Sequence, residues 1–186
     1  MYFLIVGALM FFAVHFYSAF RSRLPGNDTR KKLGDARFMA TYSVISLIGF
    51  VLMVWGYDLA RPSPQLYNPP AWARSAPYIL MLPAFILIVS AYAPRGRIKN
   101  YAKHPMLWAT ILWSFSHLLA NGEINSLILF GGFLVFALID RISVINRPEP
   151  IKKISKTSDI FVVLIGAIAY AATLTIFHPV LFGVSV

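Results

Sequence analysis

Residues 103–122 read Lys-His-Pro-Met-Leu-Trp-Ala-Thr-Ile-Leu-Trp-Ser-Phe-Ser-His-Leu-Leu-Ala-Asn-Gly, an apolar run with an imidazole set inside it. At 3.6 residues per turn, Thr110, Ser114, His117 and Asn121 fall at i, i+4, i+7 and i+11, which places all four on one helix face. The rest of the segment is fit for lipid. A polar stripe within a membrane span is a site candidate by default, because each buried polar group there costs free energy.

The whole chain shares this character. It has 186 residues, 58% hydrophobic and 13% charged, with a mean hydropathy of +0.67, a composition outside the range of soluble domains. Six apolar stretches are legible, at 2–20, 38–58, 77–93, 105–120, 124–139 and 159–178. Crossing about 30 Å of hydrocarbon takes roughly 17 to 25 residues, so four of these suffice alone and the fourth and fifth are short. Asn121-Gly122-Glu123 separates that pair as a turn would, making a helical hairpin. The expected fold is therefore all-α, a polytopic integral membrane protein with six transmembrane helices in one domain spanning 1–186.

The net charge of +10 is segregated by loop, which points to a membrane and away from nucleic acid. Residues 21–37 carry six Lys and Arg, 95–103 carry four and 141–156 carry five, while Arg61 and Arg74 are alone on the other side. On six spans this is fifteen against two, which the positive-inside rule assigns to the cytoplasm. Both termini then face outward from a bacterial inner membrane. Fusing the two short stretches into one span would put the 141–156 cluster outside and spoil the bias. The first stretch has no basic residue ahead of it and no small-residue cleavage site, so it reads as a span and not a removable signal.

Between spans two and three, Pro62, Pro64, Pro69, Pro70 and Pro77 exclude helix and predict a semi-rigid extended cap. Trp55, Tyr57, Tyr67, Trp72 and Tyr78 surround it as an interfacial aromatic belt would. Ser46, Gly49, Met53 and Gly56 form a small-residue packing face on span two. Pro83 is expected to kink span three.

The spans hold no Asp, Glu, Lys or Arg away from their ends, so histidine is the side chain expected to ligate or titrate there. Disulfides, iron–sulfur clusters and thiolate ligation are excluded, because the chain has no cysteine. His117 has the polar stripe around it. His15 lies in span one and equally suits a ligand or an interhelical hydrogen bond. His104 precedes Pro105, which suits the first helical position, and His178 lies at the outer end of span six. His104 and His117, thirteen positions apart, diverge by roughly 220° around the helix and cannot share one ligand position. Two imidazoles on different spans can hold haem axially, which makes His15 the partner for His117. Their expected depths differ, about 6 Å inward of the helix centre for His15 and about 7 Å outward for His117, so one iron would need a steep ligation axis.

Several short motifs together resemble the NnrU family over residues 1 to about 145: Val14-His15, Trp55-Gly56-Tyr57, Pro69-Pro70-Ala71-Trp72, Lys103-His104-Pro105-Met106-Leu107, Ser116-His117-Leu118-Leu119-Ala120-Asn121-Gly122 and Asp140-Arg141-Ile142-Ser143. That family is named for an association with nitrite and nitric-oxide reduction. The early Val-His and later basic-His-Pro and His are also similar to 15-cis-zeta-carotene isomerase, in which the residues matching His15 and His117 are thought to hold haem b. The isomerase cysteine corresponds to Ser114 here, so the resemblance carries no thiolate switch. It implies haem b at His15 and His117, with Thr110, Ser114, Asn121 and His104 nearby, acting on nitric oxide or a lipid-soluble polyene.

Two rival readings stand beside it. Basic-His-Pro at a helix start is also similar to isoprenylcysteine methyltransferases and sterol reductases, which would make Lys103, His104 and Pro105 a cytoplasmic site for a soluble cofactor. The other is a non-enzymatic assembly or regulatory factor for a respiratory or denitrification complex, with the histidines as interhelical hydrogen-bonding groups.

Overall fold

A computed structural model describes residues 1–24, 26–145 and 154–182. Within them the chain is helical. Its elements are α1 (Tyr2–Phe20), α2 (Thr29–Leu33), α3 (Asp35–Leu59), a 3-10 turn (Ala71–Ser75), α4 (Ala76–Tyr92), α5 (Arg97–Ala102), α6 (Pro105–Ala120), α7 (Ile124–Ser143), α8 (Ser158–Ala172), a π-helical turn (Thr173–Phe177) and α9 (His178–Phe182).

Five stretches are long and apolar enough to cross a membrane: Tyr2–Phe20, Asp35–Leu59, Ala71–Tyr92, Ile124–Ser143 and Ser158–Val180. The fourth expected stretch, 105–120, is a helix of its own, α6, but its 16 residues cover about 24 Å. Large apolar side chains face outward on these helices, including Leu47, Ile79, Phe161 and Ile168, as lipid-facing surfaces do.

Three element boundaries depart from the sequence reading. The fifth stretch is not short, because Asp140 and Arg141 end the apolar run without ending α7. The Ser143 hydroxyl donates to the Asp140 carbonyl and carboxylate at 2.9 and 2.8 Å inside the last turn. The last span is not one uniform helix, since the π turn interrupts it. The basic loops also contain short helices. Asp28 accepts from Arg30 N to cap α2, and Lys99 Nζ of α5 donates to the Ala91 and Ala93 carbonyls at 2.7 and 2.9 Å, capping α4. Of the third basic cluster, Arg147, Lys152 and Lys153 lie outside the described residues.

The chain forms two compact units, Met1–Asn68 with Asn121–Ile145, and Pro69–Ala120 with Asn146–Val186. In the first, α1 packs against α3 and α7 around buried Leu4, Ala8 and Met53. The small-residue face of α3 is real contact. A Cβ on Gly49 would lie 2.8 Å from Phe11 N, and one on Gly56 would overlap the Leu4 backbone, so the two backbones approach as small residues alone permit.

The proline-rich segment docks on the α6–α7 turn. Leu66 N donates to Gly122 O at 2.8 Å and Ile124 N to Pro64 O at 3.0 Å, while Tyr67 Oη donates to Asn121 O at 2.8 Å. Turn chemistry alone does not explain Gly122, since a positive φ occurs among the glycines at Gly26 and Gly34. What requires glycine at 122 is the Tyr67 carbonyl, which fills the space a Cβ would take.

In the second unit α4 packs against α6 and α8, with Gly166 of α8 so close that a Cβ would lie 2.8 Å from Ile86 Cα. The start of α8 is tied to the α4–α5 loop. Ser158 Oγ donates to Pro94 O at 2.7 Å, and the Asp159 carboxylate accepts from Arg97 N and Ile98 N at 2.8 and 3.1 Å.

Candidate functional site

The polar stripe of α6 resolves into two kinds of residue. Thr110 Oγ1 donates to Met106 O at 3.0 Å and Ser114 Oγ to Thr110 O at 2.6 Å, so both hydroxyls back-bond to their own helix in the i−4 manner. Ser114 is fully buried. Asn121 lies beyond the helix end in the turn, where its carbonyl accepts from Tyr67. These three are satisfied by backbone or loop partners, and none lines the cavity beside His117.

His117 does line that cavity, and its ring is held in place. Nδ1 lies 2.8 Å from Trp113 O. A carbonyl accepts and never donates, so Nδ1 carries the hydrogen and the lone pair of the neutral ring is on Nε2. The cavity measures about 50 Å³, and its wall includes Met81 and Phe85 from α4, Tyr170 from α8, Thr173 from the π turn and His178 from α9. One water needs roughly 10–15 Å³ by this measure, so the space takes a few waters, a diatomic molecule or an ion. It is far below the roughly 300 Å³ at which pockets for drug-sized ligands begin.

His15 sits in the first unit with the same local device. Its Nδ1 lies 2.7 Å from Phe11 O, which again leaves the lone pair on Nε2. Phe11 stacks on the ring at 3.9 Å between centroids, Tyr42 is at 5.1 Å and Phe136 presents its edge at 5.4 Å. The aromatic surface continues toward the basic end of the helices, with Tyr42 stacked with Phe38 at 6.5 Å and Phe38 under the Arg21 guanidinium at 5.5 Å. Arg21 is nine-tenths buried, 3.6 Å from Asp28, and its Nε and Nη1 have no hydrogen-bond partner among the described residues.

His104 stands before α6 as expected, with Pro105 as the first helical residue. Its carbonyl accepts from Leu107 N at 3.1 Å and from Trp108 N at 3.4 Å, closing the first turn. Lys103 ahead of it has φ +57°, a positive value that few non-glycine residues adopt, and His104 N donates to Ala102 O at 2.6 Å across it.

The family model described as NnrU protein matches residues 3–186, nearly the whole chain. The chain belongs to the NnrU family. No curated protein and no solved structure matches it.

For this NnrU-family chain, the described residues therefore offer two imidazole centres, one in each unit. Motifs point to His15 and His117 but not to Arg21, Met81, Tyr170 or His178 as their neighbours. In sequence Arg21 is one topological charge among several, and burial of that kind has no sequence signature. Met81 and Tyr170 read as lipid-compatible residues of their spans.

Proposed function

We propose that this NnrU-family protein is a six-span inner-membrane protein, with both termini outside, that binds haem b through His15. The observation carrying the haem reading is the arrangement around that ring. An imidazole with its lone pair on Nε2 lies at one end of an aromatic surface, and at the other lies a buried guanidinium that is 3.6 Å from Asp28 and has no hydrogen bond at Nε or Nη1 among the described residues. That donor set fits haem b, whose iron takes neutral imidazole and whose carboxylates pair with guanidinium. When bound, haem supplies redox and ligand-exchange chemistry at iron, on nitric oxide or on a lipid-soluble polyene. The chain's own contribution is to orient His15 through the Phe11 carbonyl, to exclude water with Phe11, Tyr42 and Phe136, and to neutralise an anionic edge at Arg21.

The cavity at His117, about 50 Å³, is smaller than a porphyrin. Purified protein should show Soret absorption that disappears in His15→Ala, weakens in Arg21→Gln and persists in His117→Ala. Unchanged absorption in His15→Ala overturns the reading, and so does loss of absorption in His117→Ala.

Six spans rest on α6 being a helix separate from α7 and on the fifteen-to-two charge bias. A 16-residue span is accommodated by local thinning of the bilayer or by flanking residues reaching the interface. The chain lacks cysteine, so Lys156→Cys is a clean topological reporter. Labelling of that cysteine by a membrane-impermeant reagent should require access from the cytoplasmic side; labelling from outside gives five spans.

A further inference from the structure

We propose that the cavity of the second unit is a Cu(I) site, with His117, His178 and Met81 as its ligands. Three side chains with metal-binding lone pairs line one small cavity, and they come from three different helices. The Nδ1–H bond to Trp113 O aims the His117 lone pair through Nε2, the tautomer control that metal-bound imidazoles use.

His178 reaches the cavity because of the π turn. In an uninterrupted helix, position 178 is eight residues beyond Tyr170 and falls to the side of its face. A turn with i→i+5 bonding absorbs one extra residue, so His178 takes the place of position 177, seven residues on and on the same face as Tyr170 and Leu174. The interruption Thr173–Phe177 thus converts a residue at the end of the span into a second imidazole for the cavity.

The donor chemistry selects the ion. No carboxylate or cysteine lines the cavity among its described residues, and no three His, Cys, Asp or Glu side chains converge anywhere among them. Tyr170 Oη donates its hydrogen to the Tyr78 carbonyl at 2.9 Å. A thioether and two imidazoles bind a metal as neutral donors. The cost of moving an ion into a low-dielectric interior grows with the square of its charge, so neutral donors in an apolar wall favour a monovalent ion over Zn²⁺ or Ca²⁺. Thioether with imidazole is the donor set that suits Cu(I). A volume of about 50 Å³ takes the ion and at most a small further ligand.

The inference does not rest on the haem reading, since the two use different residues. The test is anaerobic titration of the full-length purified protein with Cu(I) in competition with bathocuproine disulfonate. One Cu(I) per chain should be retained, with affinity reduced roughly tenfold or more in Met81→Leu, His178→Ala and His117→Ala. Met81→Leu preserves volume, so unchanged far-ultraviolet dichroism separates ligand loss from misfolding. X-ray absorption at the copper edge should show a sulfur scatterer that Met81→Leu removes. Surrender of all copper by the wild type, equal retention by the three variants, a persisting sulfur scatterer or equal retention of Zn²⁺ each overturns the assignment.

Discussion

Asp159 Oδ2 accepts the backbone N–H of Arg97 at 2.8 Å across 62 positions of chain, and Oδ1 takes the next N–H, that of Ile98. One carboxylate at the start of α8 therefore caps α5, and Gly96 leaves room for it, since a Cβ there would overlap the carboxylate. Asp159→Ala should lower stability by about 1–2 kcal/mol, the usual cost of a lost cap. Gly96→Ala should act through the same contact. Thermal unfolding of both single variants and the double variant in detergent checks this, and additive losses would refute a shared contact.

The close approach of α1 and α3 makes a contrast between glycines. Gly56→Leu forces a side chain into the Leu4 backbone and should cost about 1–3 kcal/mol or more through overpacking. Gly131 of α7 has open space where a Cβ would lie, with no neighbouring group within 4 Å, so Gly131→Ala should stabilise by about 0.5–1 kcal/mol through helix propensity. Comparative melting of the two variants decides it.

Gly122→Ala should detach the proline-rich segment without unfolding α6 or α7, because the atoms nearest the added Cβ belong to Tyr67. Hydrogen exchange is the measurement. The Leu66 and Ile124 amides, bonded to Gly122 O and Pro64 O, should lose protection while amides in the middle of α7 keep theirs.

Burial raises the Tyr67 phenol above its ordinary value, with the Glu123 carboxylate as the smaller cause. The folded state thus favours the neutral phenol, which donates to Asn121 O. Its contribution is present at neutral pH and is lost as pH rises through the raised value. Ultraviolet titration of the wild type against Tyr67→Phe should assign to Tyr67 a step later than that of free tyrosine, about 10, which Glu123→Gln moves down.

The helices were legible because lipid imposes a simple rule. Every backbone group must be satisfied within the segment, so apolar runs of sufficient length become helices, and the expected 2–20 and 105–120 correspond to Tyr2–Phe20 and Pro105–Ala120. The end of α7 was not legible. Asp140 and Arg141 break an apolar run but not a helix, because side chains at a helix end reach local partners such as Ser143.

The candidate site was legible in part for the same reason. His15 and His117 stand out in a sequence that leaves the spans no other titratable group away from their ends than tyrosine. The stripe around His117 misled in its other members, since Thr110 and Ser114 spend their hydroxyls on the preceding turn, a partner that periodicity does not reveal.

The sequence by itself determined an all-helical chain of membrane character, its family and the two imidazoles within it, because hydropathy, charge segregation and residue type are properties of local segments. Tertiary structure alone decided which residues meet: Arg21 with Phe38, Gly122 with the Tyr67 carbonyl, and His178 with Met81 and His117 around one cavity. Those pairings depend on helix register and close approach between segments distant in the chain. A single π turn or a missing Cβ changes them while leaving the apolar pattern intact.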